Sequence, residues 1–264
     1  MESNTSNSIG IFDSGIGGTS IWKEIQQLLP HESSIYLADS KHAPYGQKTK
    51  DEILHLTIKN TEYLLNKNCK IIVVACNTAT TNAISYLRQT YPVPFIGIEP
   101  AIKPASLNTQ TQHIGILATR GTLNSALFAN TSRSLHHAIK ITEQVGDGLV
   151  ELIENGQLHS KEMTSLLQKH LSVFQQCNID HLVLGCTHYP YLIPQIQEMI
   201  GPNITIIDSG NAVAKQTKRV LTKLKLLQTS SKSACHQFYT NQNSRVLAHL
   251  LNNSAKHSIQ YLDF

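Results

Sequence analysis

The chain is short of charge. Asp, Glu, Lys and Arg together make up 15% of its 264 residues, where an average globular protein has about 25%. The 22 basic and 18 acidic side chains leave a net charge of +4. No basic run goes beyond Lys218-Arg219, so nucleic acid is not an expected partner. Long apolar runs are missing as well. The longest, Ile71 to Cys76, is far too short to cross a bilayer. The opening "MESNTSNS" carries no apolar signal core. The expectation is a soluble, cytoplasmic protein with no membrane partner. Cysteines number five: Cys69, Cys76, Cys177, Cys186 and Cys235. None are spaced as C-x-x-C, which speaks against a disulfide framework and a zinc knuckle. In a reducing cytosol such thiols stay free.

What is present is enough apolar material, 41% of residues, for one large domain or two small ones. Short apolar runs alternate with amphipathic stretches. Strands are expected at 8–12, 34–38, 70–75, 113–118, 138–142, 181–185, 204–208, 236–240 and in the final "SIQYL". Helices are expected at 19–29, 49–66, 79–90, 121–137, 147–155, 160–176, 210–227 and 243–252. "KIIVVA" is β-branched without alternation, as a strand buried on both faces should be. The pattern predicts an α/β fold with mostly parallel sheets. The Pro-rich segment 92–104 and the second "DSG", Asp208 to Gly210, read as crossings between two similar α/β lobes. The first lobe would comprise 1–98 and 209–264, and the second, inserted lobe 99–208. A ligand would lie in the cleft between them.

Two stretches read almost alike: "VVACNTAT", Val73 to Thr80, and "VLGCTHYP", Val183 to Pro190. Each is an apolar run ending in a cysteine where a helix is about to start. A helix N-terminus favours thiolate and so predicts a lowered pKa. Two facing thiols suit several tasks. They can form a disulfide or a metal site, with His188 as a further ligand, although no fourth ligand is evident. They can act as nucleophile and helper. They can also move protons at a stereocentre, one thiolate removing a proton while the opposite thiol delivers one. A third stretch, "FDSGIGGTS", is a Gly-rich strand–helix turn that can present backbone N–H groups to an anion. It lacks the lysine of a Walker loop and the third glycine of a dinucleotide loop. Its Asp13 could equally be a helix cap.

Together these segments resemble the glutamate racemases. "GIFDSGIGG", "APYGQKT", "VVACNTAT", "IGIEPA", "ATRGTLNS", "LGCTHYPYL" and "IDSGNAVA" occur in that family's order, from Gly10 to about Tyr239. The resemblance implies a cofactor-independent, two-thiol interconversion of L- and D-glutamate that supplies D-glutamate for peptidoglycan. It implies Cys76 and Cys186 as the catalytic acid/bases, the first working on D-glutamate and the second on the L-enantiomer. Asp13 and His188 would flank them. Asp13, Ser14, Pro44, Tyr45, Gly46, Asn77, Thr78, Thr187 and His188 would hold the substrate. No metal or cofactor is implied, and a homodimer is compatible with the resemblance. Glu154 falls where an assisting carboxylate is expected, with Glu151 as its rival. The chain departs from the family at Gly146-Asp147, where Cys-Pro is frequent, and at Lys41-His42 before the Pro-Tyr-Gly turn. A racemase for aspartate or another amino acid, a non-catalytic binding regulator and a zinc hydrolase are the alternative readings.

Overall fold

The computed structural model describes residues 5–135, 139–229, 233–252 and 257–264. The chain opens with β1 (Ile9–Asp13), α1 (Thr19–Leu28), β2 (Ser34–Ala38), α2 (Lys50–Asn66), β3 (Ile71–Val74), α3 (Asn77–Thr90) and β4 (Phe95–Gly97). It continues through α4 (Ile102–Asn108), β5 (His113–Ala118), α5 (Arg120–Leu123), α6 (Ala126–Leu135), β6 (Lys140–Val145), α7 (Leu149–Glu154) and α8 (Lys161–Gln175). Then come β7 (His181–Gly185), α9 (Ile193–Ile200), β8 (Thr205–Ile207), α10 (Gly210–Lys223), β9 (His236–Thr240), α11 (Ser244–Leu250) and β10 (His257–Tyr261).

The strands at the centre of both sheets are apolar in their interiors because both faces are covered, and their polar residues fall at strand ends. β1, β2, β3, β5 and β7 are buried at every position, as parallel sheets between helix layers require. The helices bury one stripe each. In α1 Ile21 and Ile25 are buried one helical turn apart, with Trp22 beside them. α2 starts at a capping box, with the Thr49 hydroxyl accepting from the Glu52 N–H and the Glu52 carboxylate accepting from the Thr49 N–H.

The strands form two sheets, ordered β10-β9-β2-β1-β3-β4 and β6-β5-β7-β8. Every pairing is parallel. The protein is therefore α/β with two parallel sheets, as its sequence pattern predicts. Register decides what meets at the carboxyl ends. Asp13 lies opposite Ala38, and Phe12 opposite Val74, so Asp13, Asp39 and Cys76 leave the first sheet at one edge. Gly185 lies opposite Ala118, so Cys186 and Thr119 leave the second sheet together. Ligands of open parallel sheets bind at such ends. The two crossings touch where the Ser209 hydroxyl donates to the Glu99 carbonyl at 2.5 Å.

Several elements differ from the expectation. The Pro-rich segment holds a three-residue strand, β4, and the start of α4. The expected helix over 121–137 is two helices, α5 and α6; residues 136–138, including the start of the strand expected at 138–142, lie outside the described residues. α9 is not among the expected helices; its Pro194 sits in the first turn, where proline costs little. Among the described residues, no helix is long and apolar enough to cross a membrane.

Candidate active site

Cys76 ends the β3 segment and is the N-cap of α3. Its sulfur accepts the Ala79 N–H at 3.4 Å and lies 3.6 Å from Ser14 Oγ. These contacts are those of a helix start that favours thiolate, but burial wins. Desolvation first, and the charge of Asp13 second, push this thiol up to about 12 against the opposing hydrogen bonds. The lowered pKa expected for a cysteine at a helix N-terminus is thus corrected for Cys76, which is a thiol and not a thiolate.

Cys186 ends the β7 segment, and the chain turns there into a short 3-10 helix, Tyr189–Leu192. The Cys186 sulfur lies 3.7 Å from Nδ1 of His188. The other ring nitrogen, Nε2, is 2.6 Å from Glu154 Oε1. Burial alone would discharge this imidazole. Its contacts to Cys186 and Glu154, with the charge of Asp13, overcome that and raise its pKa well above the ordinary value. The Gly17 N–H also points at Nε2, at 3.2 Å. The much shorter contact to an acceptor-only carboxylate places the proton on Nε2, so the Gly17 contact is a close approach and not a hydrogen bond.

The glycine-rich turn explains how these groups reach one another. The Ile16 N–H donates to Glu154 Oε1 at 2.7 Å, so the anion this turn receives is a side chain of the same protein. A Cβ on Gly15 would fall 1.9 Å from Glu154 Oε1, and one on Gly17 2.2 Å from His188 Nδ1. Side chains at either position would occupy the space that Glu154 and His188 fill. Asp13 is not a helix cap. Its carboxylate accepts from the Gly15 N–H at 2.8 Å and from the Thr187 hydroxyl at 2.9 Å. It is fully buried and raised to about 6, by desolvation above all and by Glu154 in the same direction, with His188, Thr187 and Gly15 opposing.

Between the two thiols lies a small cavity lined by Ser14, Pro44, Tyr45, Gly46, Cys76, Asn77, Thr78, Cys186, Thr187 and His188, with Thr119 and Val150. All of the expected substrate-holding residues except Asp13 therefore face one space, and Asp13 lies behind Thr187. Tyr45 contributes its backbone edge, since its hydroxyl donates away from the cavity to the Asp39 carboxylate. Thr78 Oγ1 meets Thr119 Oγ1 at 2.9 Å, across the two lobes. Asn77 is 3% exposed, yet both ends of its carboxamide lack a partner. A buried amide without partners costs about 1–3 kcal/mol, and this one sits in the cavity wall. Thr119 and Val150 escaped sequence reasoning: neutral and aliphatic, they carry no chemical signal, and only the register of the second sheet brings them here. Glu151, the rival of Glu154, lies outward and accepts from the exposed Gln47 amide at 2.6 Å.

At Gly146 a Cβ would stand 2.3 Å from the hydroxyl of the buried Tyr189, which donates to the Gly146 carbonyl at 3.1 Å. Glycine fits this position because Tyr189 occupies the adjoining space. Asp147 pairs with Arg120 at the surface. Among the described residues, no three His, Cys, Asp or Glu side chains are grouped so as to hold a metal ion.

Two thiols line one cavity, each at the carboxyl end of a parallel sheet of an α/β protein, and one of them is backed by an imidazole–carboxylate pair. The model of the Asp/Glu/hydantoin racemase family matches residues 10–217, and the chain belongs to that family. It is 46% identical over 215 residues to a glutamate racemase of Cupriavidus pinatubonensis, covering 81% of this chain and 79% of that one. Among solved structures it resembles a glutamate racemase isoform of Bacillus anthracis, with a TM-score of 0.89, 29% identity and 99% of each chain covered. It also resembles the Francisella tularensis glutamate racemase in complex with D-glutamate, with a TM-score of 0.85, 28% identity and 98% coverage of both.

Proposed function

We propose that this chain is a glutamate racemase that needs no cofactor and supplies D-glutamate for peptidoglycan, with Cys76 and Cys186 as its two acid/bases. The observation that carries the reading is the pair of buried thiols lining one cavity beside the unpartnered Asn77 amide. Membership of the racemase family and the names of the relatives support glutamate as substrate. The lobes are taken as 1–98 with 209–264, and 99–208.

The steps balance without an outside reactant. Cys186 as thiolate takes the α-proton of L-glutamate, and the electron pair passes into the α-carboxylate. Cys76, held as a thiol, donates its proton to the opposite face and gives D-glutamate. Cys186 then holds the extra proton and Cys76 is a thiolate; exchange with water resets both. The reverse reaction exchanges the roles. His188, protonated and fixed by Glu154, is the positive partner that stabilises negative charge on the Cys186 sulfur. Asp13 stands on the side of Cys76, and Thr187 fixes its orientation. Ser14, Asn77, Thr78 and the Tyr45-Gly46 edge offer hydrogen bonds to the substrate's charged groups.

Circular dichroism of L-glutamate tests the reading. The signal decays to zero with the wild-type protein and persists with Cys76→Ser and with Cys186→Ser. A flat trace with wild type overturns glutamate racemisation, and a panel of other L-amino acids then tests the aspartate alternative. Variants as fast as wild type overturn the two-thiol mechanism.

A further inference from the structure

Glu154 fixes His188, so whatever fixes Glu154 matters to Cys186. Its Oε1 is taken by the Ile16 N–H and by His188. Among the described residues, its Oε2 accepts one hydrogen bond, from Ser40 Oγ at 2.7 Å. Ser40 belongs to the other lobe and does not line the cavity between the thiols. It opens a one-turn 3-10 helix, Ser40–His42, directly after β2. That turn is tied down with unusual thoroughness. The fully buried Asp39 carboxylate accepts from His42 Nδ1 and Asn241 Nδ2, both at 2.6 Å, and from the Tyr45 hydroxyl. The Asn241 carbonyl oxygen accepts the Lys41 N–H at 2.9 Å. Asn241 itself follows β9 and is buried. The segment after α10 therefore reaches back to clamp the turn that carries Ser40.

We propose that Ser40 is a positioning residue for proton transfer at Cys186, held in place by Asp39 and Asn241. Its hydroxyl stops the Glu154 carboxylate from rotating away from His188, and His188 in turn stays against the Cys186 sulfur. The Lys41-His42 departure from the family pattern falls within this clamp: His42 supplies one of the three donors to Asp39, and Lys41 its backbone N–H. The inference rests on the racemase reading, but part of its test does not.

The test compares wild type, Ser40→Ala and Ser40→Thr. Loss of a hydrogen bond to a charged group predicts that kcat for Ser40→Ala falls about 10–100-fold. KM stays within about twofold, since Ser40 does not touch the cavity, and Ser40→Thr restores the rate by keeping the hydroxyl. Enantiomers are equally stable, so kcat/KM is the same in both directions whatever the variant; isotope effects distinguish the two thiols instead. In Ser40→Ala the primary isotope effect with α-deuterated L-glutamate rises above that with the D-enantiomer. A readout without substrate is the ring 15N signals of His188, assigned by their loss in His188→Gln. These move in Ser40→Ala and return in Ser40→Thr. A purely structural role lowers the melting temperature but leaves kcat within about twofold and the His188 signals in place, and that result overturns the proposal. If wild type leaves glutamate unchanged, the racemase reading falls, and the His188 signals alone decide whether Ser40 positions this group.

Discussion

The two cysteine turns look alike as strings and differ as environments. Cys76 caps a regular fourteen-residue helix, and its sulfur contacts are neutral: a backbone N–H and a serine hydroxyl. Cys186 leads into a 3-10 turn, and its sulfur faces an imidazole that Glu154 keeps charged. Fold duplication thus accounts for where the thiols stand, while the neighbours set what charge each sulfur faces. The side of Cys76 stays protonated through burial and the nearby Asp13, and the side of Cys186 carries a positive partner. An enzyme whose substrate and product are mirror images still surrounds its two thiols differently.

The largest expected effect comes from removing either thiol. Cys76→Ser or Cys186→Ser lowers kcat by about 10²–10⁴-fold, the usual worth of a positioned acid or base. Gly17→Ala comes next. Its Cβ would displace His188, and a misplacement near 1 Å costs about 10²-fold. The companion Gly15→Ala displaces Glu154, so both variants make the Cys186 side resemble the Cys76 side. His188→Asn removes the charged partner outright and is expected to lower kcat about 10–100-fold, with the larger isotope effect appearing on α-deuterated L-glutamate. Asn77→Ala acts on the side of Cys76 and separates stability from function. It removes two unpaired buried polar atoms, so the empty protein melts a few degrees higher, while KM for glutamate rises.

A separate effect, on stability and not on turnover, is its pH dependence. Asp13 is raised from 3.8 to about 6. Between those values the folded chain holds a proton that the unfolded chain has released. The stability from this group is therefore full below about pH 4 and is lost as pH rises through about 6. The loss amounts to about 3 kcal/mol. Asp13→Asn has no such proton to lose, so calorimetry from pH 4 to 7 should show a flatter profile than wild type. An unchanged profile would place the raised pKa elsewhere.

Much of this was legible in the residues. The strands at 34–38, 113–118 and 181–185 have the bounds their apolar runs predict, because burial on both faces leaves no other pattern, and 236–240 has its predicted bounds with alternating burial. The principal side chains were legible because they interrupt those runs: a buried Asp13, two cysteines and a histidine at strand ends. The break between α5 and α6 was not legible, since Asn124-Ser125 is a weak signal inside an otherwise helical stretch. β4 is three residues long within a proline-rich segment, too short for any periodicity. Ser40, Thr119 and Val150 were silent for another reason. Their importance comes from sheet register and from contacts more than 30 residues away in sequence, which composition and spacing do not encode. The thiol of Cys76 shows the converse failure. Its helix N-terminal position was readable, but the desolvation that outweighs it was not.

Turnover in deuterium oxide tests the central claim most directly. If one thiol removes the α-proton and the other delivers a solvent-derived one, D-glutamate formed early from L-glutamate carries one α-deuterium. The L-glutamate still present keeps its hydrogen. Mass spectrometry of the separated enantiomers before equilibrium reads both at once. Product that retains the substrate's α-hydrogen, or deuterium appearing equally in the recovered L-glutamate, would contradict transfer between two thiols on opposite faces.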